Sequence, residues 1–187
     1  MAKTSAVLTT AWTDPLFRRK AWNFLGFQLG WFACVLGAAH GFAWVGPVVV
    51  GLLLALHLRL QEHPGAELRI VAAAALLGLL FDTSLAASGQ VTYLGSLAGF
   101  VSPPWILSMW INFGLTLRSS MSWLEGRPGI AALMGAVSGP FSYFAGARLG
   151  AVELAEPSWI PLALLAVGWA IALPLLFRFA HGEAQPC

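Results

Sequence analysis

Residues 70–87 read IVAAAALLGLLFDTSLAA, a segment long and apolar enough to indicate the type of fold. It holds one ionisable side chain, Asp82, and its first twelve residues are all apolar or glycine. A bilayer core about 30 Å thick is crossed by a helix of roughly 20 mainly apolar residues. Lipid cannot satisfy backbone polar groups, so a spanning segment must be a helix or part of a closed barrel. The alternating pattern of a barrel is absent. Residues 70–87 are therefore predicted to form a transmembrane helix.

The composition extends this prediction to the whole chain. Of its 187 residues, 58% are apolar and only 10% are charged, with a mean hydropathy of +0.76. A soluble domain carries about 25% charged residues, so this chain cannot cover a globular surface against water. The composition excludes intrinsic disorder, and the ten thinly spread Lys and Arg residues exclude a nucleic-acid-binding surface. Cys34 and Cys187 are too far apart in sequence to predict a disulfide scaffold.

We predict an all-α integral membrane protein, a bundle of six transmembrane helices in a single domain over residues 22–180. The predicted spans are 22–40, 42–58, 70–87, 105–124, 129–151 and 159–180, flanked by a cytoplasmic segment 1–21 and a cytoplasmic tail 181–187. A tight hairpin joins the first two spans at His40-Gly41. Pro140 and Pro174 predict kinks in the fifth and sixth spans, because proline removes a backbone donor.

Lysine and arginine are distributed unevenly between the two ends of the predicted bundle. With the N-terminus in the cytoplasm, Arg148 is the single outer cation. The inner set is Lys3, Arg18, Arg19, Lys20, Arg59, Arg69, Arg118, Arg127 and Arg178. Cytoplasmic loops are enriched in these residues, so the predicted orientation is N-in and C-in.

Several polar side chains fall inside the predicted spans, where they are costly and suggest function. Asp82 and Asn112 lie at similar depths in the outer half, and Tyr143 lies slightly deeper. Arg148 lies a turn above Tyr143, and His40 closes the first span. Gln28 lies lower in the first span. We interpret these six residues as candidate lining of a polar pocket. The uncharged segment 90–104 is predicted to cap this end of the bundle.

A structural lock is the alternative interpretation of the same residues. Asp82 could pair with Arg148 and hydrogen-bond Asn112 only to fix the helices, since a buried pair need not do more. The sequence contains no HExxH, P-loop or GxSxG motif, and we predict neither a cofactor nor a catalytic residue. Two histidines and two glutamates lie in or beside the loop 58–69: His57, Glu62, His63 and Glu67. Their spacing matches no zinc pattern, so no metal site is predicted.

One set of segments is similar to a known family. The segments are Pro104-Trp105-Ile106, Trp110-Ile111-Asn112-Phe113 and, most specifically, Gly139-Pro140 with Tyr143 and the block AGARLGA over 145–151. The chain resembles the bacterial inner-membrane family known as domain of unknown function 2878. That resemblance implies a small multi-pass protein of the bacterial inner membrane, in a family whose members often accompany lipid-modifying enzymes.

Three functions are compatible with these residues. The first is binding or transport of a lipid or small amphiphile through the polar pocket, with membrane lipids as partners. The second is a non-catalytic scaffold or accessory subunit for a peripheral lipid-modifying enzyme. The third is an intramembrane enzyme that modifies lipid, with Asp82 or His40 as acid–base group. The third ranks last, because no nucleophile–base pair can be placed from the sequence.

Overall fold

The structure is a computed structural model, and it describes residues 13–97, 99 and 101–182. These residues form six α-helices and two short strands. The helices are α1 (Pro15–Ala39), α2 (Val45–Arg59), α3 (Pro64–Ala87), α4 (Pro104–Gly114), α5 (Pro128–Arg148) and α6 (Trp159–Gly182). The strands are β1 (Val91–Tyr93) and β2 (Val152–Leu154). Most of the predicted segment 1–21 and of the predicted tail 181–187 lies outside the described residues.

The protein is a helical membrane protein. Four helices, α1, α3, α5 and α6, are long and apolar enough to cross a bilayer. Their outward faces are apolar as well, and large side chains such as Leu133 and Phe141 are 65% and 70% exposed. Soluble proteins rarely leave so much contiguous apolar surface in water, whereas lipid covers it without cost.

The fourth predicted span is not one continuous helix, and the prediction for residues 105–124 is wrong in this respect. α4 ends at Gly114, residues 115–121 form turns, and a short 3-10 helix follows at Ser122–Leu124. Gly114 packs closely on α3, where an added Cβ would lie 3.2 Å from the Cα of Val71. The hydroxyl of Thr116 then donates to the carbonyl of Phe113, a local bond that competes with helix continuation.

Neither α4 nor α2 is long enough to cross a bilayer alone. With 11 and 15 residues, they reach only about 16 and 22 Å at the helical rise, against a core of about 30 Å. Pro140 and Pro174 do lie inside α5 and α6; the kinks stay a prediction.

The helices pack as antiparallel neighbours through small residues. Gly46 of α2 lies directly against Cys34 of α1, and Gly26 of α1 faces Leu53 of α2, so the two helices form a hairpin around the turn at Gly41. Gly139 of α5 packs against the Trp169 ring of α6. Small residues let helix backbones approach closely in lipid, where packing drives helix association.

Two short strands accompany the helices and leave the all-α class unchanged. β1 pairs with β2 antiparallel, with Val91 opposite Leu154 and Tyr93 opposite Val152. This pairing ties the segment after α3 to the segment between α5 and α6, at the end of the bundle where α3 and α5 end. It also turns the side chain of Tyr93, which is 2% exposed, into the helices.

Candidate functional site

A fully buried carboxylate, Asp82 of α3, lies at the centre of one end of the bundle. Its Oδ1 accepts hydrogen bonds of 2.5 Å from the hydroxyls of Tyr93 and Tyr143. Its Oδ2 accepts a 2.5 Å hydrogen bond from Nε1 of Trp110. These four residues form the Asp82 centre. All three donors are neutral, so the carboxyl group is satisfied by hydrogen bonds rather than by a cation.

Two glycines make room for the indoles beside this centre. Gly78 lies one helical turn before Asp82, and a Cβ there would meet Cγ of Trp110 at 2.0 Å. Trp169 of α6 stacks on Trp110 with ring centroids 4.5 Å apart and an interplanar angle of 11°. Trp169 fits because Gly139 faces it without a side chain. Among the described residues, the buried Nε1 of Trp169 has no hydrogen-bond partner.

The environment of Tyr93 keeps its phenol protonated. Burial, and secondly the negative charge of Asp82, raise the pKa of Tyr93 well above its ordinary value. A neutral phenol is a hydrogen-bond donor, which is the role it has towards Asp82. The Asp82 centre therefore joins α3, β1, α4 and α5 through donors that do not titrate near neutral pH.

The predicted polar pocket of the outer half is not formed as the sequence suggested. Of its candidate residues, the structure brings only Asp82 and Tyr143 together. Arg148 is exposed at the end of α5, so the pairing of Asp82 with Arg148 that the structural-lock alternative allowed is not formed. His40 is exposed at the end of α1, where its Nδ1 lies 2.9 Å from the carbonyl of Leu36.

Asn112 is also absent from the Asp82 centre, for a reason of helical geometry. Trp110 and Asn112 are two residues apart on α4 and so point about 200° apart around the helix. Trp110 faces Asp82, and Asn112 faces α1, where its Nδ2 donates to the carbonyl of Phe27 at 2.9 Å. Gln28 is half-buried on α1 and lines neither of the cavities described below. Similar depth did not bring Asn112 to Asp82, because its face of α4 is turned towards α1.

Sequence reasoning missed three aromatic residues in and beside the Asp82 centre: Tyr93, Trp110 and Trp169. Two signals were present. Gly78 shares the face of Asp82, and a glycine beside a buried acid leaves room for a large partner. Tyr93 lies in an uncharged segment that a solvated loop would not contain. The pairing of β1 with β2, which positions Tyr93, could not be read from strands of three residues.

A groove of about 510 Å³ opens at the other end of the bundle, where α1 begins and α2 ends. Leu25 and Leu29 of α1 face Leu53 and Leu56 of α2 across it, so its walls are apolar. Its remaining wall comes from α4 and the turns after it. The end of the groove nearest the start of α1 is polar and carries Arg19, Asn23, His57, Gln61 and Ser119. Asn112 lines the groove further along α1, at the carbonyl of Phe27.

A smaller cavity of about 230 Å³ adjoins that polar end, and we name it the basic pocket. Three cations, Arg19, Lys20 and Arg118, line it together with the carboxylate of Glu67. Gln61 and Ser119 complete its polar surface and also line the groove, as Arg19 does. The groove and the basic pocket thus share a boundary.

The only acidic residue of the basic pocket is already engaged. Glu67 is 6% exposed; its Oε2 lies 3.1 Å from Nε2 of His57 and its Oε1 lies 3.5 Å from Arg118. The Nη2 of Arg19 donates a 2.5 Å hydrogen bond to Oε1 of Gln61, a neutral group. Among the described residues, no ion pair neutralises Arg19 or Lys20, and the pocket is net positive.

Asn23 holds the broken part of the fourth segment against α1. Its Nδ2 donates to the carbonyl of Leu115 at 3.0 Å. Its Oδ1 accepts from the backbone N–H and the hydroxyl of Ser120 at 3.2 and 2.7 Å. Because Arg118 lies between these two contacts, Asn23 fixes the turn that carries Arg118 into the basic pocket.

The described residues contain no cluster of three or more His, Cys, Asp or Glu side chains able to hold a metal ion. Asp82 has no exposed surface, so it touches no bulk solute in this conformation. The chemistry offered by the two cavities is therefore recognition of an apolar chain and of negative charge.

The chain was compared with protein families, curated proteins and solved structures, and one of these three comparisons found a match. The sequence model of a family described as "Protein of unknown function (DUF2878)" matches residues 20–175. The search of curated proteins found no match, and neither did the search of solved structures.

Proposed function

This chain belongs to the DUF2878 family of proteins of unknown function, and we propose that it binds the apolar chain of a membrane amphiphile in the groove between α1 and α2. The observation that carries the proposal is the groove itself. Its volume of about 510 Å³ falls within the roughly 300–1,000 Å³ of small-molecule sites. Leucine walls and one polar end are the arrangement that an amphiphile requires.

The broken fourth segment supports this location. Non-helical backbone at membrane depth is tolerated where it is buried in protein or lines a cavity, because lipid leaves its polar groups unsatisfied. Leu115 and Ser119, which follow the end of α4, both line the groove. Discontinuous spanning segments are a recurrent way of building binding sites in membrane proteins.

We also propose that the chain lies in the bacterial inner membrane. Six crossings are proposed. The second consists of α2 with the residues 42–44 that precede it, and the fourth consists of α4, the turns 115–121 and the 3-10 helix. The proposed orientation is N-in and C-in, since Arg148 is the single outer cation under the positive-inside rule. The polar end of the groove then faces the inner leaflet, which supplies the amphiphile.

Photo-crosslinking tests the groove even while the natural ligand is unidentified. The full chain is purified in phosphatidylcholine nanodiscs and labelled with a monoacylglycerol that carries a diazirine on its acyl chain. Mass spectrometry of peptides then maps the labelled residues. The expected result is labelling concentrated at Leu25, Leu29 and Leu53, above the labelling of outward residues such as Phe141.

A matched pair of variants decides whether that labelling reports the groove. Gly26 lines the groove and Gly51 of α2 faces open space, so Gly26→Phe fills the cavity whereas Gly51→Phe adds the same ring outside it. Labelling of Leu25 is expected to fall about tenfold in Gly26→Phe, the effect of losing about 1.4 kcal/mol of binding. Even labelling of all lipid-facing residues, unchanged in Gly26→Phe, would overturn the proposal.

A further inference from the structure

We infer that the basic pocket receives a phosphate monoester headgroup, belonging to the amphiphile whose chain lies in the groove. This inference rests on the proposed function, and it names the class of amphiphile. The two cavities share Arg19, Gln61 and Ser119, so a molecule with its chain in the groove has its polar end at the basic pocket.

The donors of the basic pocket converge from parts of the chain that are far apart in sequence. Arg19 and Lys20 come from the first turns of α1, and Arg118 comes from the turn after α4. Ser119 and Gln61 add a hydroxyl and an amide. A surface that merely follows the positive-inside rule needs scattered cations at one membrane face, whereas here three cations and two neutral donors line one small cavity.

The net positive charge of the basic pocket favours an anionic ligand. Glu67 is engaged by His57 and Arg118, and this leaves the charges of Arg19 and Lys20 without a carboxylate among the described residues. A zwitterionic choline headgroup would add its own cation to the three that line the pocket, where the one acidic residue is already paired. A neutral sugar or glycerol headgroup would leave the excess positive charge uncompensated.

A phosphate monoester fits this donor set better than a carboxylate does. It carries up to two negative charges and three terminal oxygens, which can accept bonds from several directions at once. Arginine matches phosphate oxygens with two parallel N–H donors, and lysine adds a mobile point charge. The pocket supplies both types of cation, with Arg19 and Lys20 from α1 and Arg118 from the turn after α4.

The test compares three probes on the full chain in phosphatidylcholine nanodiscs, with binding measured by native mass spectrometry. The probes are dodecyl phosphate, the neutral dodecyl maltoside and inorganic phosphate. The variants are Lys20→Gln and Arg118→Gln, with Arg178→Gln as control. Arg178 is an exposed arginine of α6 outside both cavities.

The expected result is a rise of about tenfold in the dissociation constant of dodecyl phosphate in Lys20→Gln and in Arg118→Gln, the usual effect of one lost charge-assisted contact. Arg178→Gln leaves that constant unchanged, and dodecyl maltoside binds equally to all variants. Lys20→Gln is the decisive variant, because Arg118 also pairs with Glu67 and its loss could disturb folding.

Three results would overturn the inference and separate it from the proposed function. Equal affinity for dodecyl phosphate and dodecyl maltoside in all variants would contradict the phosphate site in the basic pocket, while it would remain consistent with binding of the chain in the groove. Inorganic phosphate that competes at the same concentration as dodecyl phosphate would identify a site for the free anion. Failure of both amphiphiles to bind would overturn the groove as well.

Discussion

The hydroxyl of Tyr143 donates a 2.5 Å hydrogen bond to Oδ1 of Asp82, across 61 positions of sequence. The same oxygen accepts the hydroxyl of Tyr93, and the other carboxylate oxygen accepts Nε1 of Trp110. One buried side chain thus connects two helices, a strand and the short α4. The structural-lock interpretation of Asp82 gains support from this geometry, with aromatic donors in place of the expected arginine.

Replacement of Asp82 by leucine is expected to destabilise the protein strongly. The change keeps a similar volume and leaves two hydroxyls and one indole N–H buried without an acceptor. Each orphaned donor costs about 1–3 kcal/mol, so the free energy of unfolding is expected to fall by about 3 kcal/mol or more. The measurement is the unfolding midpoint in mild detergent, followed by tryptophan fluorescence.

The control for this variant is Ser84→Ala, two residues further along α3. Ser84 is exposed and donates only to the carbonyl of Phe81 in its own helix, so its loss should leave the midpoint nearly unchanged. If Asp82→Leu keeps the wild-type midpoint but abolishes amphiphile labelling, Asp82 belongs to the working site instead.

The two tyrosines of the Asp82 centre are expected to act non-additively. Tyr93→Phe and Tyr143→Phe each remove one of two donors to the same oxygen, and each should cost about 1 kcal/mol. In the double variant Oδ1 has lost both, so the combined cost should exceed the sum by about 0.5 kcal/mol or more. A double-mutant cycle on unfolding free energies measures this difference. A strictly additive result would contradict the shared acceptor.

Alkaline pH provides a separate test of Tyr93. Its pKa in the folded protein is raised well above the ordinary value by burial and by Asp82. In the unfolded chain the phenol ionises near pH 10, so its contribution to stability is complete below about pH 10 and is lost as the pH rises further. Wild type should therefore lose up to about 1.4 kcal/mol per pH unit more than Tyr93→Phe above this pH.

Trp159→Phe serves as the control for the alkaline experiment, because Trp159 is an exposed aromatic residue without a titrating group. Its unfolding free energy should follow the wild-type dependence on pH. Parallel curves for wild type and Tyr93→Phe would contradict the burial of the phenol.

The lengths of the apolar segments predicted the positions of the helices, because backbone groups in lipid must be hydrogen-bonded within the chain and few structures other than a helix do this. Each of the six predicted segments overlaps one of the six helices among the described residues. The interruption after Gly114 was missed, although the residues 115–121 include Thr116, Arg118, Ser119 and Ser120. Its cause is tertiary: the close contact of Gly114 with α3 and the bonds from Asn23.

The site was predicted less well, for a different physical reason. Depth in a span follows from counting residues, and Asp82 and Tyr143, placed at nearby depths by such counting, do form a hydrogen bond. Which helix face turns towards which neighbour depends on packing, as the opposite directions of Trp110 and Asn112 show. The groove and the basic pocket depend on three separate segments, so no local pattern predicts them.

Replacement by alanine is expected to change the stability in opposite directions at two glycines, Gly78 and Gly51, because Gly78 contacts Trp110 and Gly51 faces open space. Gly78→Ala places a Cβ 2.0 Å from the indole and must displace Trp110 from Asp82, so a loss of about 1–3 kcal/mol is expected. Gly51→Ala on α2 meets nothing within 4 Å and should gain about 0.5–1 kcal/mol through helix propensity. Unfolding midpoints in detergent measure both. Equal effects at the two positions would contradict the packing of Trp110 on Gly78.

Asn23 is expected to control the order of the turn that carries Arg118. Asn23→Leu removes the bonds to Leu115 and Ser120, so amide hydrogen exchange of residues 115–121 should accelerate about tenfold or more. Gln28→Leu, on the same helix and without a hydrogen bond to any described residue, is the control. Since the displaced turn takes Arg118 out of the basic pocket, Asn23→Leu should also weaken dodecyl phosphate binding while dodecyl maltoside binding is kept. Unchanged exchange in Asn23→Leu would mean that the turn is held by packing against α3 and not by Asn23.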